Sequence, residues 1–298
     1  MSYIIDAHQH VWDPRRAVYS WLDHSFAPID RPIGFQELRP SLRRAGIQAT
    51  VLVQSADNAE DTQLMLETAD ANPEVAAIVA WVPLDKPAEV ESRLPTLLGD
   101  PRIVGVRTLI HNQADPNWLL RPDVAEGLSL IEHAGLTFDV VAVLPRHLAI
   151  VPLIAERHPD LNLVVDHLAK PPVGGESFSP WWDLIASAAA SPRVFAKVSG
   201  LYSASASPGA WTLDSVRPFL HRAIEVFGAE RLMYGGDWPI SVLAGGYDRV
   251  WDGLTELFAE LDEDQRQNII GDTAERFYRI NRTALKRAAS FSDLNQPE

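Results

Sequence analysis

Apolar residues in this chain fall into short, nearly continuous runs separated by longer amphipathic stretches. The runs at 3–10, 49–54, 76–82, 103–107, 137–141, 161–166, 194–198 and 232–237 have the length of strands and little polar alternation, as strands covered on both faces should. Between them, 35–45, 61–71, 88–98, 122–133, 148–157, 181–190, 213–227, 247–261 and 263–281 read as helices. Several of these stop at a breaker: Gly46, Asn72-Pro73, Gly99, Gly135 and Pro159. Eight strand-helix units in 298 residues predict a closed (β/α)8 barrel, a TIM barrel of the α/β class. One domain over 1–286 with a frayed tail at 287–298 is expected.

Two segments break the rhythm. Residues 11–34 carry Trp12, Pro14, Trp21, Phe26, Pro28 and Pro32 with no period, which predicts an ordered loop forming a lid or pocket wall. Residues 203–212 make a second loop expected to shape the pocket. No Gly-x-Gly-x-x-Gly follows a strand, so the dinucleotide-binding reading is set aside.

Charge narrows the partners. Forty acidic against 26 basic residues give a net charge of −14, which argues against nucleic acid or an anionic membrane surface and leaves a small-molecule substrate. Cysteine is absent, which excludes disulfides, a thiolate nucleophile and Cys-type zinc sites. The N-terminal stretch lacks a basic region followed by an apolar run, and no segment approaches about 18 uninterrupted apolar residues. A cytoplasmic protein is expected, with a homodimer possible.

In such a barrel the chemistry belongs at the C-terminal ends of the strands. Those ends carry His8 and His10, Gln54, Trp81, Arg107 with His111 beyond it, Asp166-His167 with Lys170, Lys197 and Ser199, and Asp237-Trp238. Strand alternation places Asp6, His8 and His10 on one face, where the two imidazoles can converge on a metal or a substrate carbonyl. Asp6 suits either a histidine-orienting or a substrate-touching role. Asp237, after two glycines, suits a general base or a metal ligand. Arg107, Gln54 and Lys197 can hold substrate hydroxyl or carboxylate groups, and Trp81 can wall the pocket. Trp12 and Trp238 read as wall or core, and His24, His133, His147, His158 and His221, in loops or helices, read as structural.

The stretches Ile5-Asp6-Ala7-His8-Gln9-His10-Val11-Trp12, Gly105-Val106-Arg107, Asp166-His167-Leu168-Ala169-Lys170-Pro171, Lys197-Val198-Ser199-Gly200-Leu201 and Gly236-Asp237-Trp238-Pro239 resemble the amidohydrolase superfamily, and within it the lactonase branch. That branch holds L-fuconolactonase-like and L-rhamnonolactonase-like enzymes and pyrone-dicarboxylate lactonase. The resemblance implies a hydrolase that opens a sugar-acid lactone, with Asp237 as base and His8, His10 and His167 at the carbonyl. Arg107 stands where a bridging Lys or Glu is expected, and strand five lacks a histidine, so a binuclear centre is not expected. His8, His10, His167 and Asp237 can hold at most one divalent ion, zinc, or none. Two other readings stand beside this one: a zinc-dependent decarboxylase of an aromatic or unsaturated acid, which uses a similar set, and a non-catalytic sugar-binding barrel.

Overall fold

The computed structural model of the protein describes residues 2–204 and 210–294. Eight parallel strands, β1 (Ile5–Gln9), β2 (Ala49–Val53), β3 (Val75–Ala80), β4 (Ile103–Thr108), β5 (Thr137–Val140), β6 (Leu163–Val165), β7 (Val194–Val198) and β8 (Leu232–Tyr234), pair in sequence order. The ring closes above β8, where Asp237 N donates to His8 O at 2.8 Å and His10 N donates to Trp238 O at 2.8 Å. The barrel expected from the alternating pattern is present.

The helices are α1 (Arg39–Ala45), α2 (Ala59–Ala71), α3 (Pro87–Leu97), α4 (Pro122–His133), α5 (Pro145–Ala149), α6 (Val151–Arg157), α7 (Trp181–Ala189) and α8 (Leu213–Phe227). They continue with α9 (Tyr247–Phe258), α10 (Glu263–Gln267), α11 (Thr273–Tyr278) and α12 (Arg282–Leu294). Gly46 closes α1 in the left-handed region at φ 68°, as its lack of a Cβ allows. The single helix expected over 263–281 is broken by a π turn at Asn268–Asp272 and stopped by left-handed Arg279. The tail expected to fray beyond Lys286 is helical instead: α12 runs on to Leu294 and buries Leu285 and Ala288.

Outward-facing strand residues such as Leu52, Val106, Phe138, Leu163 and Val198 form one core with the helices. Ile5, Val51, Ala77, Val164 and Met233 form a second core inside the barrel, closed at its base by Phe277 and Tyr278. The large expected loop at 11–34 is ordered. Trp12 pairs with Ile33 and its ring N–H donates to Ile29 O and Arg31 O, while Trp21 Nε1 donates to Ser55 O at 2.7 Å. Of the other loop, 205–209 lies outside the described residues.

Close approach of the β3–α3 connection to α4 depends on Gly127, where a Cβ would lie 2.2 Å from Leu84 O. In an exposed helix, Gly→Ala gains about 1 kcal/mol. Here Gly127→Ala should instead cost roughly 1–3 kcal/mol through overpacking. Gly34→Ala, with nothing within 4 Å of its Cβ, should be nearly neutral. Urea unfolding midpoints of the two variants measure the difference, and a stabilised Gly127→Ala protein would count against this packing.

Candidate active site

The first departure from simple strand geometry lies in β1. Its register with β2 shifts between Asp6 and Gln9, which resets the alternation expected of Asp6, His8 and His10. Asp6 consequently turns from the histidine rings. Its Oδ1 accepts from Gly236 N at 2.9 Å and His8 N at 3.0 Å, and its Oδ2 from Tyr247 OH at 2.6 Å and Gln9 Nε2 at 2.7 Å. Burial pushes this carboxyl up, and the four donors oppose the shift. Asp6 therefore ties the end of β1 to the segment after β8 and to α9, fixing the backbone from which His8 and Asp237 project.

His8, His10, His167 and Asp237 converge at the barrel mouth. His8 Nε2 lies 3.2 Å from His10 Nε2, and Asp237 Oδ1 lies 3.8, 3.6 and 4.0 Å from Nε2 of His8, His10 and His167. Each ring is held through its other nitrogen: His10 Nδ1 to Val53 O at 2.7 Å, His167 Nδ1 to Ser199 Oγ at 2.8 Å, and His8 Nδ1 facing Asp166 Oδ1 at 3.3 Å. Among the described residues, Asp237 Oδ2 is buried without a hydrogen-bond partner. Burial raises the Asp237 carboxyl, but His167, His10 and Lys170 outweigh it and hold the group at about 2. Burial lowers His8 and His167 well below the usual imidazole range, so both are neutral at pH 7.

Left-handed backbone delivers two of these groups. His167, Leu168, Ala169 and Lys170 all have positive φ, between 48° and 58°, and Asp237 has φ 50°. Such a conformation costs roughly 1–2 kcal/mol per non-glycine residue. The 167–170 turn is pinned by Trp181 Nε1 donating to Leu168 O at 2.6 Å. Glycine at 200 is required: a Cβ there would lie 2.6 Å from His167 Nδ1 and 2.7 Å from Asp237 Oδ2.

Below the histidines lies an ionic layer. Arg107 Nη1 donates to Asp166 Oδ2 at 2.8 Å and lies 3.2 Å from His8 Nε2, while Nε donates to Gln54 Oε1 at 3.2 Å and Nη2 to Gln54 O. Lys197 Nζ lies 2.5 Å from Asp139 Oδ2, 3.1 Å from Asp166 Oδ1 and 3.1 Å from His8 Nδ1. Tyr278 OH donates to Asp139 Oδ2 at 2.8 Å. Burial raises Asp139, whereas Lys197, His8 and Arg107 overcome burial at Asp166 and hold it well below the usual carboxylate range.

Above the centre opens a cavity of about 330 Å³. Its polar side holds His10, Arg107, His167, Lys170 and Asp237, and its apolar side holds Trp21, Phe26, Leu109, Val141 and Ile240. A histidine-aspartate cluster at the C-terminal mouth of an eight-stranded barrel points to a hydrolase family, and the relatives of the chain decide which. An amidohydrolase family model matches residues 5–280. The chain belongs to the amidohydrolase family. It is 37% identical over 289 residues to L-fucono-1,5-lactonase of Burkholderia ambifaria, covering 95% of this chain and 97% of that one. It is 30% identical over 294 residues to L-fucono-1,5-lactonase of Burkholderia multivorans, covering 95% and 98%. A crystal structure of an amidohydrolase from Burkholderia multivorans with bound zinc superposes with a TM-score of 0.87 at 28% identity, covering 94% of this chain and 100% of that one.

Not every residue singled out in the amidohydrolase sequence reaches the mouth. Trp81 lies in a groove between α2 and α3, with Arg93 stacked 5.6 Å over its ring, because the chain after β3 leads outward to the helices. Lys197 points into the barrel and is fully buried among carboxylates, so it is out of reach of a substrate in the cavity. Gln54 is buried and spends its side chain on Arg107 and Asp57. Conversely, Asp139 escapes a reading of strand five that looks for histidine alone. Its place on a barrel strand beside the other polar strand residues is the available signal. Trp21 and Phe26 come from the loop expected to form a wall, without any periodic signal of their own.

His8, His167 and Asp237 offer ligand atoms within 4.8 Å of one another and could hold one divalent ion, with His10 Nε2 beside them. Bonds of about 2.0–2.1 Å in a tetrahedral site place ligand atoms roughly 3.3 Å apart. The 3.2–4.0 Å spacings here, three Nε2 atoms with second nitrogens engaged elsewhere, and the orphaned Asp237 Oδ2 are of that kind.

Neutral buried histidines carry a pH signature. Their folded pKa lies below the unfolded value of about 6.5, so the unfolded chain binds more protons and stability falls as pH drops below that point. Asp237, held at about 2, contributes stability that stays constant over this range and is lost only as pH falls below about 3.8. Urea unfolding of the metal-free protein should therefore show lower stability at about pH 5.5 than at about pH 7.5. His167→Gln should reduce that slope, and an unchanged slope would count against a neutral His167.

Proposed function

We propose that this amidohydrolase is a lactonase that opens a sugar-acid lactone, an aldonolactone of the L-fucono-1,5-lactone kind, by water attack on the ester carbonyl. The observation that carries the reading is Asp237: a buried, ionised carboxylate with one oxygen facing three imidazoles and the other without a partner, at the floor of a cavity of about 330 Å³. That volume suits a single sugar ring. The two lactonase relatives, matched over nearly their whole length, support the same reaction class.

Asp237 Oδ2 takes a proton from water as the water oxygen bonds to the carbonyl carbon, and the carbonyl electron pair moves onto oxygen. Collapse of that adduct breaks the bond to the ring oxygen, which receives the proton from Asp237, and the open hydroxy acid results. Stabilising the oxyanion requires a donor or a cation. His10 donates through Nδ1 to Val53 O, which leaves its Nε2 facing the centre. The cationic side chains lining the cavity are Arg107 and Lys170, and these face the polar end of a bound lactone. The ring carbons lie against Trp21, Phe26 and Ile240. His8, His10 and His167 through Nε2, together with Asp237, would hold one zinc ion, whose chemistry when bound is Lewis acidity toward the carbonyl oxygen.

The chain acts on a small molecule, no helix among the described residues is long and apolar enough to cross a membrane, and we place its work in the cytoplasm. General-base assistance is worth about 10²–10⁴ in rate, so Asp237→Asn should lower kcat for L-fucono-1,5-lactone hydrolysis by at least that range while KM stays nearly constant. A pH-indicator assay beside circular dichroism measures both activity and fold. Near-normal turnover by Asp237→Asn would remove it as the base. Absence of acid release from a panel of aldonolactones would overturn the lactonase reading.

A further inference from the structure

The metal-ligand set of His8, His10, His167 and Asp237 contains a competitor that a metal centre ordinarily lacks. Arg107 Nη1 lies 3.2 Å from His8 Nε2, the nitrogen an ion would need. A guanidinium is a permanent cation with no acceptor atom, so Nη1 sets a fixed positive charge at the nitrogen an ion would bind. At the other ring nitrogen, Nδ1, Lys197 Nζ lies 3.1 Å away and Asp166 Oδ1 3.3 Å away, and the ammonium is also engaged by Asp139 and Asp166. His8 is therefore flanked by a cation at each ring nitrogen, and a neutral ring offers one lone pair between them.

Arg107 is not placed there loosely. Its Nη1 is held by Asp166, and its Nε and Nη2 by the side chain and backbone of Gln54, in a setting where only 3% of the residue is exposed. Charge accounting agrees with the geometry. Asp166 and Asp139 are matched by Arg107 and Lys197, which leaves Asp237 as the carboxylate facing the centre. A dication would thus meet one carboxylate and, behind His8, two fixed positive charges in a medium that screens them poorly.

We propose that Arg107 and a divalent ion compete for His8 Nε2, so that Arg107 sets the metal affinity of this centre and occupies the electrophile's place when the ion is absent. This rests on the assignment of His8, His10, His167 and Asp237 as the metal-ligand set, and its test reads metal binding rather than lactone turnover. Zinc that enters must break the Arg107–His8 contact. The same side chain that stabilises the metal-free arrangement weakens the loaded one, and a guanidinium near the reacting carbonyl takes the charge-stabilising role in the first state.

Zinc affinity is measured by competition with a chromophoric chelator on the full-length protein, for the wild type, Arg107→Met and the double variant Arg107→Met/His8→Asn. Removing the competing cation should tighten zinc binding at least about tenfold in Arg107→Met, and deleting His8 should abolish that gain. Unchanged zinc affinity in Arg107→Met, or a gain that persists without His8, overturns the proposal. If Arg107→Met lacks a cooperative unfolding transition, Gln54→Leu, which removes the acceptor that steadies Arg107 Nε, is read in the same way: tighter zinc binding supports the competition and unchanged binding overturns it. Because no lactone enters the assay, a failure here leaves the lactonase reading standing, and a failed lactonase screen leaves this result interpretable.

Discussion

Asp166, clasped between Arg107 and Lys197 inside the barrel, is the interaction on which the site depends. Burying these charges is expensive, and a pair or triad of this kind recovers the cost only when geometry and hydrogen bonding are good. Removing one partner from such a layer would leave an uncompensated charge with no access to water. In exchange, the layer supplies a rigid floor. It fixes the plane of the His8 ring, holds the guanidinium of Arg107 against the centre, and links β4, β5, β6 and β7 across the barrel axis. An apolar floor of similar volume would pack equally well and would orient nothing.

The seam between β1 and β8 works by a complementary principle. There the groups are backbone N–H and C=O, and one buried carboxylate, Asp6, gathers four donors from three segments. Closing the barrel and building the centre are the same event at this seam, since the bonds His8 O–Asp237 N and His10 N–Trp238 O set the separation of the two halves of the histidine-aspartate cluster. The strained backbone at Asp237 and at 167–170 is tolerated because this frame and the Trp181 bond over-determine it.

Placed over that frame, the cavity divides into an ionised floor and an apolar side wall to which the loop at 11–34 contributes Trp21 and Phe26. A lactone has the same division: a polar ester at one end of a compact ring with exposed C–H faces. Anchoring of the loop through Trp12 and Trp21 to backbone carbonyls makes the wall part of the rigid structure, so the ring carbons meet a preformed surface.

Much of the architecture was legible from local pattern. Continuous apolar runs of strand length, helix stops at glycine and proline, and polar residues at strand ends are short-range features, and the barrel with its mouth at His8, His10, Arg107, His167 and Asp237 follows from them. Three outcomes needed the tertiary structure. The shift in β1 that turns Asp6 from the histidines depends on pairing with β2, which no single strand records. Lys197 and Arg107 share the same position near the end of a strand, yet one is locked beneath the histidines and the other reaches the cavity, because strand stagger sets the depth of each layer. The helix in the expected tail is stabilised by burying Leu285 and Ala288 against the base of the barrel, a long-range packing term invisible to local pattern in 287–298. Sequence determines which groups arrive at the mouth; only the closed barrel determines which of them face one another, since that depends on stagger and on charges brought together from strands far apart in the chain.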